Sequence, residues 1–288
     1  MSLKITVWDV QHGSAAFIQT PKGTNIVKDL GIGSFGADNR EFSPLRYLKK
    51  KQGIDRLDYV IISHPHKDHI DDILNFDQLD PRALSRPKHL SPDDVIKSVR
   101  EEDKPLFEKY FEINDKYSAP VSDLENPRLP ANNGGVEILN FSPTKCSTSN
   151  INNHSIVTIF SYASSKVLIP GDNEPPSWRE LLEDSAFKDA IKGTDVFVAS
   201  HHGNESGYCA DLFEHFKPRL TVISADYETE ASATDTYTKL SRGWKVHHRD
   251  GREMETRYSV TTRSDGDIVI HMGIDDSDKK PFLSVTIS

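Results

Sequence analysis

Four side chains with metal-binding groups stand close together in the segment His64-Pro65-His66-Lys67-Asp68-His69. Imidazole nitrogen and carboxylate oxygen together suit zinc, and the same combination also suits manganese or iron. A solvated loop can contain one histidine by chance, but this spacing directly after an apolar strand is typical of a metal ligand set. The segment therefore predicts a metal centre.

A strand-to-helix loop would bring these side chains into one space. The apolar run 57–62 predicts a strand that ends just before His64. His64 and His66 would share a face of an extended segment, and Pro65 between them stops further strand pairing. Asp68 then stands where a short helix is expected to begin.

Further ligands are needed for a site that holds two ions, and later strand ends offer them. His154 directly precedes a predicted strand, and Asp172 ends another after a Pro-Gly turn. On local sequence alone, Asp172 is as consistent with a turn or helix cap as with a ligand. His201 and His202 end a third strand, where a histidine pair has no packing rationale.

The elements around these residues form two halves, each with strands followed by helices. Strands are predicted near 3–10, 15–20, 24–31, 58–64, 136–143, 155–162, 165–172, 195–202, 220–226, 257–263, 267–272 and 282–287. Helices are predicted near 42–52, 68–76, 91–101, 104–116, 177–191, 207–216 and 234–241. This order predicts one α/β domain over residues 1–288, with two packed sheets and helices outside them. The segment of about 77–131 is too short to bury a core alone, so we interpret it as an inserted helical cap or lid.

The composition sets broad limits on location and partners. No apolar run approaches the ~18–20 residues that cross a bilayer, and no signal peptide pattern is present, so no membrane partner is expected. Cys146 and Cys209 are far apart, which favours a cytoplasmic protein without disulfides. The net charge of −9 counts against broad attraction to long nucleic acid duplexes, although a local basic patch is compatible with it.

The histidine segment and the later groups together resemble the metallo-β-lactamase fold superfamily. Its signature is H-x-H-x-D-H, followed by a further His, an Asp and a last His. More narrowly, the chain is similar to the soluble hydrolase domain of ComEC-type DNA-uptake proteins. The segments that carry this narrower similarity are Val10-Gln11-His12-Gly13-Ser14-Ala15, Asn152-Asn153-His154-Ser155-Ile156-Val157, Leu168-Ile169-Pro170-Gly171-Asp172 and His201-His202-Gly203-Asn204-Glu205-Ser206. The resemblance implies a four-layer αββα sandwich with a dinuclear site at one edge of the sheets.

The resemblance also implies a role for each matching residue. Two divalent ions are expected, with zinc favoured and manganese or iron as alternatives. One ion would be held by His64, His66 and His154, the other by Asp68, His69 and His202, and Asp172 would bridge them. His202 is preferred to His201 because the superfamily's last histidine usually precedes glycine. Asp29 would orient the site, and His201 would contact the substrate or support a ligand.

The expected reaction is hydrolysis by a hydroxide that bridges the two ions. Asp68 is the candidate catalytic residue, since an ionised carboxylate there could accept the proton of the attacking water. Lys67, His12 and Tyr227 are candidates for contact with the substrate, although each of them is more often an ordinary structural or surface residue.

Three functions fit these residues. A phosphodiesterase or nuclease acting on nucleic acid or a nucleotide is favoured, because two-metal sites suit phosphoryl chemistry. A cytoplasmic ester, thioester or lactone hydrolase is the alternative. The third is a catalytically silent sensor or effector-binding subunit of the same fold, which the complete set of ligand types argues against. The oligomeric state does not follow from the sequence.

Overall fold

The chain folds into two β-sheets with helices on their outer faces. A computed structural model describes residues 1–35, 40–97, 99–226 and 231–288. The strands are β1 (Ser2–Val7), β2 (Ala16–Gln19), β3 (Asn25–Lys28), β4 (Gly33–Phe35), β5 (Arg40–Phe42), β6 (Tyr59–Ile61), β7 (Leu84–Ser85), β8 (Glu137–Phe141), β9 (Val157–Tyr162), β10 (Ser165–Ile169), β11 (Val196–Val198), β12 (Leu220–Ile223), β13 (Trp244–His248), β14 (Glu255–Arg257), β15 (Ser259–Thr261), β16 (Ile268–Ile274) and β17 (Pro281–Ile287).

The helices are short and lie mainly between strands. They are α1 (Pro44–Lys51), α2 (Lys67–Ile70), α3 (Pro92–Ile96), α4 (Lys104–Lys116), α5 (Pro130–Asn133), α6 (Pro175–Leu182), α7 (Ser185–Ile191), α8 (Thr234–Leu240) and α9 (Thr262–Asp265). Tighter 3₁₀ turns occupy Ile73–Leu79, Glu101–Asp103, Ile151–His154, Ser200–Gly203, Glu205–Gly207 and Ala210–Glu214.

The first sheet has the strand order β14-β13-β17-β16-β1-β2-β3-β6-β7, and the second has the order β15-β12-β11-β10-β9-β8. Alternate residues of β1, such as Leu3 and Ile5, pack across the gap against second-sheet residues such as Phe160 and Val198. Because side chains alternate along a strand, one face of each sheet fills this shared core and the other is left for helices.

Helices cover both outer faces. Helices α1 and α4 pack on the outer face of the first sheet through Leu45, Leu48 and Tyr110. Helices α6 and α7 pack on the outer face of the second sheet through Trp178 and Phe187. The predicted α/β class with an αββα order of layers is confirmed.

The parallel pairs of strands determine where the loops meet. Strand β3 runs parallel to β6, and β11 runs parallel to both β10 and β12. The carboxyl ends of parallel neighbours lie at the same edge of a sheet, which is where α/β proteins usually bind ligands. Most of the predicted site residues follow these strands: Asp29 follows β3, the segment 64–69 follows β6, Asp172 follows β10, and His201 and His202 follow β11. His154 instead precedes β9, and His12 follows β1.

Some predicted elements differ from the structure. The helix predicted over 177–191 is two helices, since α6 ends at Leu182 and α7 begins at Ser185. Asp184 caps the second helix by accepting a hydrogen bond from the Ala186 amide at 2.8 Å. The helix predicted over 207–216 is a pair of 3₁₀ turns. Strand β13 was not predicted, because Val246 is its one fully buried side chain and the apolar alternation is weak.

The segment 77–131 is continuous with the first sheet and its helical layer. Strand β7 pairs in parallel with β6, which extends the sheet by one strand. Helix α4 buries Leu106, Phe107 and Ile113 in the core that also contains Phe76. Its action as a lid, like the extent of the domain, stays a prediction. Among the described residues, the helices are all too short or too polar to cross a membrane.

Asp72 fixes the helical layer next to the histidine segment. Its buried carboxylate accepts hydrogen bonds from the Ser43 hydroxyl at 2.7 Å, the Leu45 amide at 2.8 Å and the Asn75 side chain at 2.7 Å. These contacts hold the start of α1 against the turn that follows α2. Burial raises the pKa of Asp72 above its usual value.

We expect Asp72→Ala to lower the free energy of unfolding by about 3 kcal/mol, because it leaves buried donors without an acceptor. Asp77→Ala is the control, since Asp77 is half exposed and pairs with Lys109 at the surface. Its loss should cost less than about 1 kcal/mol. Urea denaturation of both variants measures the difference, and equal destabilisation would contradict the assigned role of Asp72.

Candidate metal centre

The histidine segment forms the predicted strand-to-helix loop. His64 lies two residues beyond Ile62, and its side chain is fully buried. His66 is the N-cap residue of α2, with extended backbone angles of φ −86° and ψ 154°. Asp68 and His69 lie inside α2, so the change from extended backbone to helix directs the side chains of the segment towards one space.

Four side chains converge on one point at the edge of the sheets. Asp68, His69, Asp172 and His202 each offer a ligand atom, and these atoms all lie within 4.8 Å of one another. The Asp172 carboxylate lies 3.2 Å from His69 Nε2 and 3.4 Å from His202 Nε2. Asp68 Oδ2 lies 3.1 Å from His202 Nε2. Two carboxylates and two imidazoles at this separation form a donor set that suits a divalent ion.

His64 and His66 adjoin this cluster. His64 Nε2 lies 3.8 Å from Asp172 Oδ2, and the rings of His64 and His66 are 4.6 Å apart between centroids. Among the described residues, the buried Nε2 atom of His64 has no hydrogen-bond partner. Buried polar atoms are seldom left in this state. This ring nitrogen therefore fits a metal ligand.

A second set of contacts fixes the orientation of His69. Its Nδ1 lies 3.1 Å from the Ser63 hydroxyl and 3.2 Å from Asp29 Oδ2. Asp29 has a left-handed backbone with φ 59°, and its other carboxylate oxygen accepts the Ser63 amide at 2.6 Å. Contacts of this kind leave Nε2 of the ring facing the cluster. The arrangement agrees with the orienting role expected for Asp29, which itself stays a prediction.

The two adjacent histidines of the later segment have different surroundings. Both have left-handed backbones, with φ 50° at His201 and φ 55° at His202. His202 Nδ1 donates to the Ser224 carbonyl at 3.0 Å, which directs Nε2 into the cluster. His201 Nδ1 instead lies 2.8 Å from the Ser206 hydroxyl and 3.5 Å from Glu174. The geometry thus favours His202 over His201 as a ligand. The position of His202 directly before Gly203 predicts the same choice.

His154 is separate from the four-residue cluster. Its Nδ1 lies 2.8 Å from Nε2 of His89, and its Nε2 lies 3.3 Å from the Ser147 carbonyl. No motif pointed to His89, which lies in the segment interpreted as a lid. The neighbouring Ser155 positions the backbone of Asp172, because its hydroxyl accepts a hydrogen bond from the Asp172 amide at 3.0 Å. The role of His154 as a ligand stays a prediction.

Gly13 allows the first loop to approach the histidine segment. Its φ is 119°, and a Cβ atom there would lie 2.4 Å from the Asp68 carbonyl oxygen. The adjacent Ser14 amide donates to that same carbonyl at 3.2 Å. The Gly13 carbonyl in turn accepts the Ser224 hydroxyl at 2.9 Å. Glycine is required here because any side chain would displace the backbone that carries Asp68.

The charges of the cluster are strongly coupled. Burial opposes ionisation of Asp172, yet the charges of His69 and His202 hold its pKa well below the usual value. Burial alone would favour neutral imidazoles, but Asp172 and Asp68 raise the pKa of His202 to about 10. The pKa of His69 is raised well above normal against the same effect of burial. Burial and the neighbouring His69 and His66 lower the pKa of His64 well below normal.

A cavity of about 980 Å³ lies beside the cluster, with His12, His66 and Lys67 in its lining. His12 Nε2 is 3.9 Å from Asp68 Oδ2, and its side chain is 55% exposed, so it stands between the cluster and solvent. Lys67 forms an ion pair with Asp103 at 2.7 Å. Tyr227, the remaining candidate for substrate contact, lies outside the described residues.

The first part of the chain, which contains the histidine segment, is similar to a known family. Residues 8–81, about a quarter of the chain, match the family model described as the metallo-beta-lactamase superfamily. This match agrees with the resemblance expected from the histidine segment. The similarity to ComEC-type proteins stays a prediction. A comparison with curated protein sequences found no match.

Several solved structures are similar to this chain at low identity. CmlA, a diiron β-hydroxylase from Streptomyces venezuelae, is 14% identical with a TM-score of 0.48, over 82% of this chain and 50% of that one. The human tRNase Z short form is 11% identical with a TM-score of 0.38, over 83% of this chain and 89% of that one. Zn²⁺-bound PqqB from Methylobacterium extorquens is 10% identical with a TM-score of 0.41, over 81% of this chain and 95% of that one. The chain spans about half the length of the CmlA structures.

The two adjacent histidines allow a matched test of the ligand set. Mutation of a residue that only supports a metal ligand typically lowers metal affinity roughly 10–100-fold. His202→Ala should lower it by more, because this substitution removes a ligand. His201→Ala replaces a residue with the same left-handed backbone and should keep the metal content of the parent. Zinc content after dialysis against a graded chelator measures both. Metal loss in His201→Ala with retention in His202→Ala would contradict the assignment.

Metal binding should release protons at neutral pH. A metal requires neutral imidazole rings, whereas the raised pKa values of His69 and His202 keep both rings protonated in the metal-free protein. Affinity should therefore rise with pH, since lower pH favours the protonated rings. Calorimetry of zinc binding at pH 7 in buffers of different ionisation enthalpy should give a release of about two protons. A binding enthalpy that does not depend on the buffer would contradict this.

Proposed function

We propose that this chain is a metal-dependent hydrolase that cleaves phosphodiester bonds in nucleic acid or nucleotides. The observation that carries the proposal is the buried cluster of Asp68, His69, Asp172 and His202, whose ligand atoms lie within 4.8 Å of one another. An arrangement that keeps two carboxylates and several imidazoles together in the interior has little value for stability, because desolvation costs offset the attraction. It is suited to binding a cation.

The residues of the loop and of the later strand ends would hold two divalent ions, for which we propose zinc. One ion would be held by His64, His66 and His154, and the other by Asp68, His69 and His202. Asp172 would contribute to both. When bound, such ions lower the pKa of water and stabilise negative charge on a substrate oxygen. The rest of the chemistry falls to side chains of the chain itself.

Asp68 is the group that we propose accepts the proton of the attacking water. Its side chain is 17% exposed, so it belongs to the cluster and is still reached by solvent. Burial disfavours its charge, but His69 and His202 hold the pKa of Asp68 below its usual value and keep it ionised. An ionised carboxylate within reach of water is a competent proton acceptor.

The cavity beside the cluster supports a substrate that carries phosphate. Lys67, Lys97 and Arg100 contribute positive charge to its lining, and the segment 147–150 contributes hydroxyl and amide groups. Asp94 and Asp103 also line it, which moderates the positive charge. A nucleotide or a single strand suits this mixed lining better than a long duplex, which requires a continuous basic surface. The ComEC-like segments of the sequence favour the same substrate class.

Activity on model substrates tests the reaction. The zinc- or manganese-loaded chain should hydrolyse bis(p-nitrophenyl) phosphate, and Asp172→Ala should lower the rate by about 10³-fold, because it removes several kcal/mol of charge stabilisation. A panel of lactones and thioesters run in parallel covers the alternative hydrolase. Turnover of lactones without turnover of the phosphodiester would refute the proposed substrate class, and equal rates for Asp172→Ala and parent would remove the metal centre from the mechanism.

The natural substrate class can be narrowed with single-stranded DNA, duplex DNA, RNA and cyclic nucleotides. Arg100→Gln should raise KM for the preferred substrate with little change in kcat, since Arg100 lines the cavity but lies outside the cluster. Lys245→Gln, an exposed lysine on β13, is the matched control for loss of one positive charge. An equal change in KM for the two variants would argue against substrate binding in this cavity.

A further inference from the structure

A second cavity, of about 350 Å³, lies at the free edge of the first sheet, beside β7. Four cationic residues contribute to its lining: Arg82, Arg86, Lys88 and Arg128. The lining contains no aspartate or glutamate among the described residues, in a chain whose net charge is −9. It shares no residue with the metal cluster or with the cavity beside that cluster. This concentration of positive charge is a local exception to the acidic character of the protein.

Arg86 is the one buried residue among the four cations that line this cavity. It is 6% exposed, and its Nε and Nη2 donate to the side chain and the carbonyl of Asn114 at 2.8 and 2.5 Å. Asn114 lies in the last turn of α4, so these two bonds satisfy the end of that helix. Nη1 of Arg86 is buried and has no hydrogen-bond partner among the described residues. The contacts with α4 therefore provide hydrogen-bond partners for only two of the three guanidinium nitrogens.

A buried guanidinium without a carboxylate partner is unfavourable, because its desolvation is not offset by an opposite charge. Burial lowers the pKa of Arg86 for the same reason. An anion in the cavity would supply the missing charge. Exposed cations at the rim would add to its binding, and neither Lys88 nor Arg128 forms an ion pair with a described carboxylate. Arg82 is already engaged, since it pairs with Glu125 at 2.9 Å.

Neutral polar groups complete the lining. The hydroxyls of Tyr59 and Ser85 are 2.5 Å apart, and both residues line the cavity. The Asn140 side chain donates to the Tyr59 hydroxyl at 2.7 Å, which holds this ring in place. Hydroxyl groups next to arginine and lysine are the combination that proteins use for phosphate oxygens.

We propose that this cavity binds a phosphate group, with Arg86, Lys88 and Arg128 as its cationic contacts. Two sources share this chemistry, namely free inorganic phosphate and the phosphate of a nucleotide. The site is independent of the metal centre. The chain runs from β7, beside the cavity, to His89, whose Nε2 lies 2.8 Å from Nδ1 of His154.

Calorimetric titration of the full chain tests the site, with inorganic phosphate and adenosine monophosphate as probes. The titrations use zinc-loaded and chelator-treated protein, because phosphate that binds at the metal centre would need the metal. We expect phosphate binding in both forms. Lys88→Gln and Arg128→Gln should each weaken it about tenfold, the expected loss for one charge-assisted hydrogen bond. Tighter binding of the nucleotide with the same sensitivity to both substitutions would identify the nucleotide as the source, and equal or weaker binding would identify free phosphate.

The control is Lys239→Gln, which removes an exposed lysine on α8, a helix that packs on the other sheet. It should leave phosphate binding unchanged. Arg86→Met should abolish binding, and Lys88→Gln and Arg128→Gln keep the test decisive if loss of the α4 contacts unfolds Arg86→Met. Three results would overturn the proposal: no phosphate binding at millimolar concentration, binding that disappears with the metal, or equal weakening in Lys239→Gln.

Discussion

The approach of two carboxylates, Asp172 buried and Asp68 partly exposed, to the same pair of imidazoles is the constraint on which this structure depends. Asp68 and Asp172 repel each other, and burial increases the cost of keeping both of them ionised. Positive charge between them is therefore required, either as protons on His69 and His202 or as a metal ion. The surrounding contacts serve that requirement, since Ser63 and Asp29 fix one ring and the Ser224 carbonyl fixes the other.

The two-sheet fold supplies these groups from strand ends. Parallel neighbours bring the loops after β3, β6, β10 and β11 to one edge, so residues far apart in the chain become neighbours there. These loops can meet only where the chain segments come very close to one another. Gly13 meets the Asp68 carbonyl, and Gly171 meets the Ser63 side chain, at distances that leave no room for a Cβ atom.

The sequence predicted the parts of the site that depend on local order. The H-x-H-x-D-H spacing, the turn before Asp172 and the glycine after His202 are all contained in short segments, and the fold class follows from the order of strands and helices. The contact between His89 and His154 could not be predicted in this way, because it joins residues 65 positions apart and depends on how segment 77–131 packs. Strand β13 was missed for a related reason, since its pairing with β17 stabilises a segment with little apolar character.

The four cluster residues come in pairs from the two halves of the chain: Asp68 and His69 follow a strand of the first sheet, whereas Asp172 and His202 follow strands of the second. An ion bound by all four would be a cross-link between the two sheets, comparable to a staple across the sandwich. Its binding energy would add to the free energy that holds the sheets together, because the unfolded chain does not preserve this geometry. The amount of available metal would then govern the thermal resistance of the whole domain as well as its chemistry.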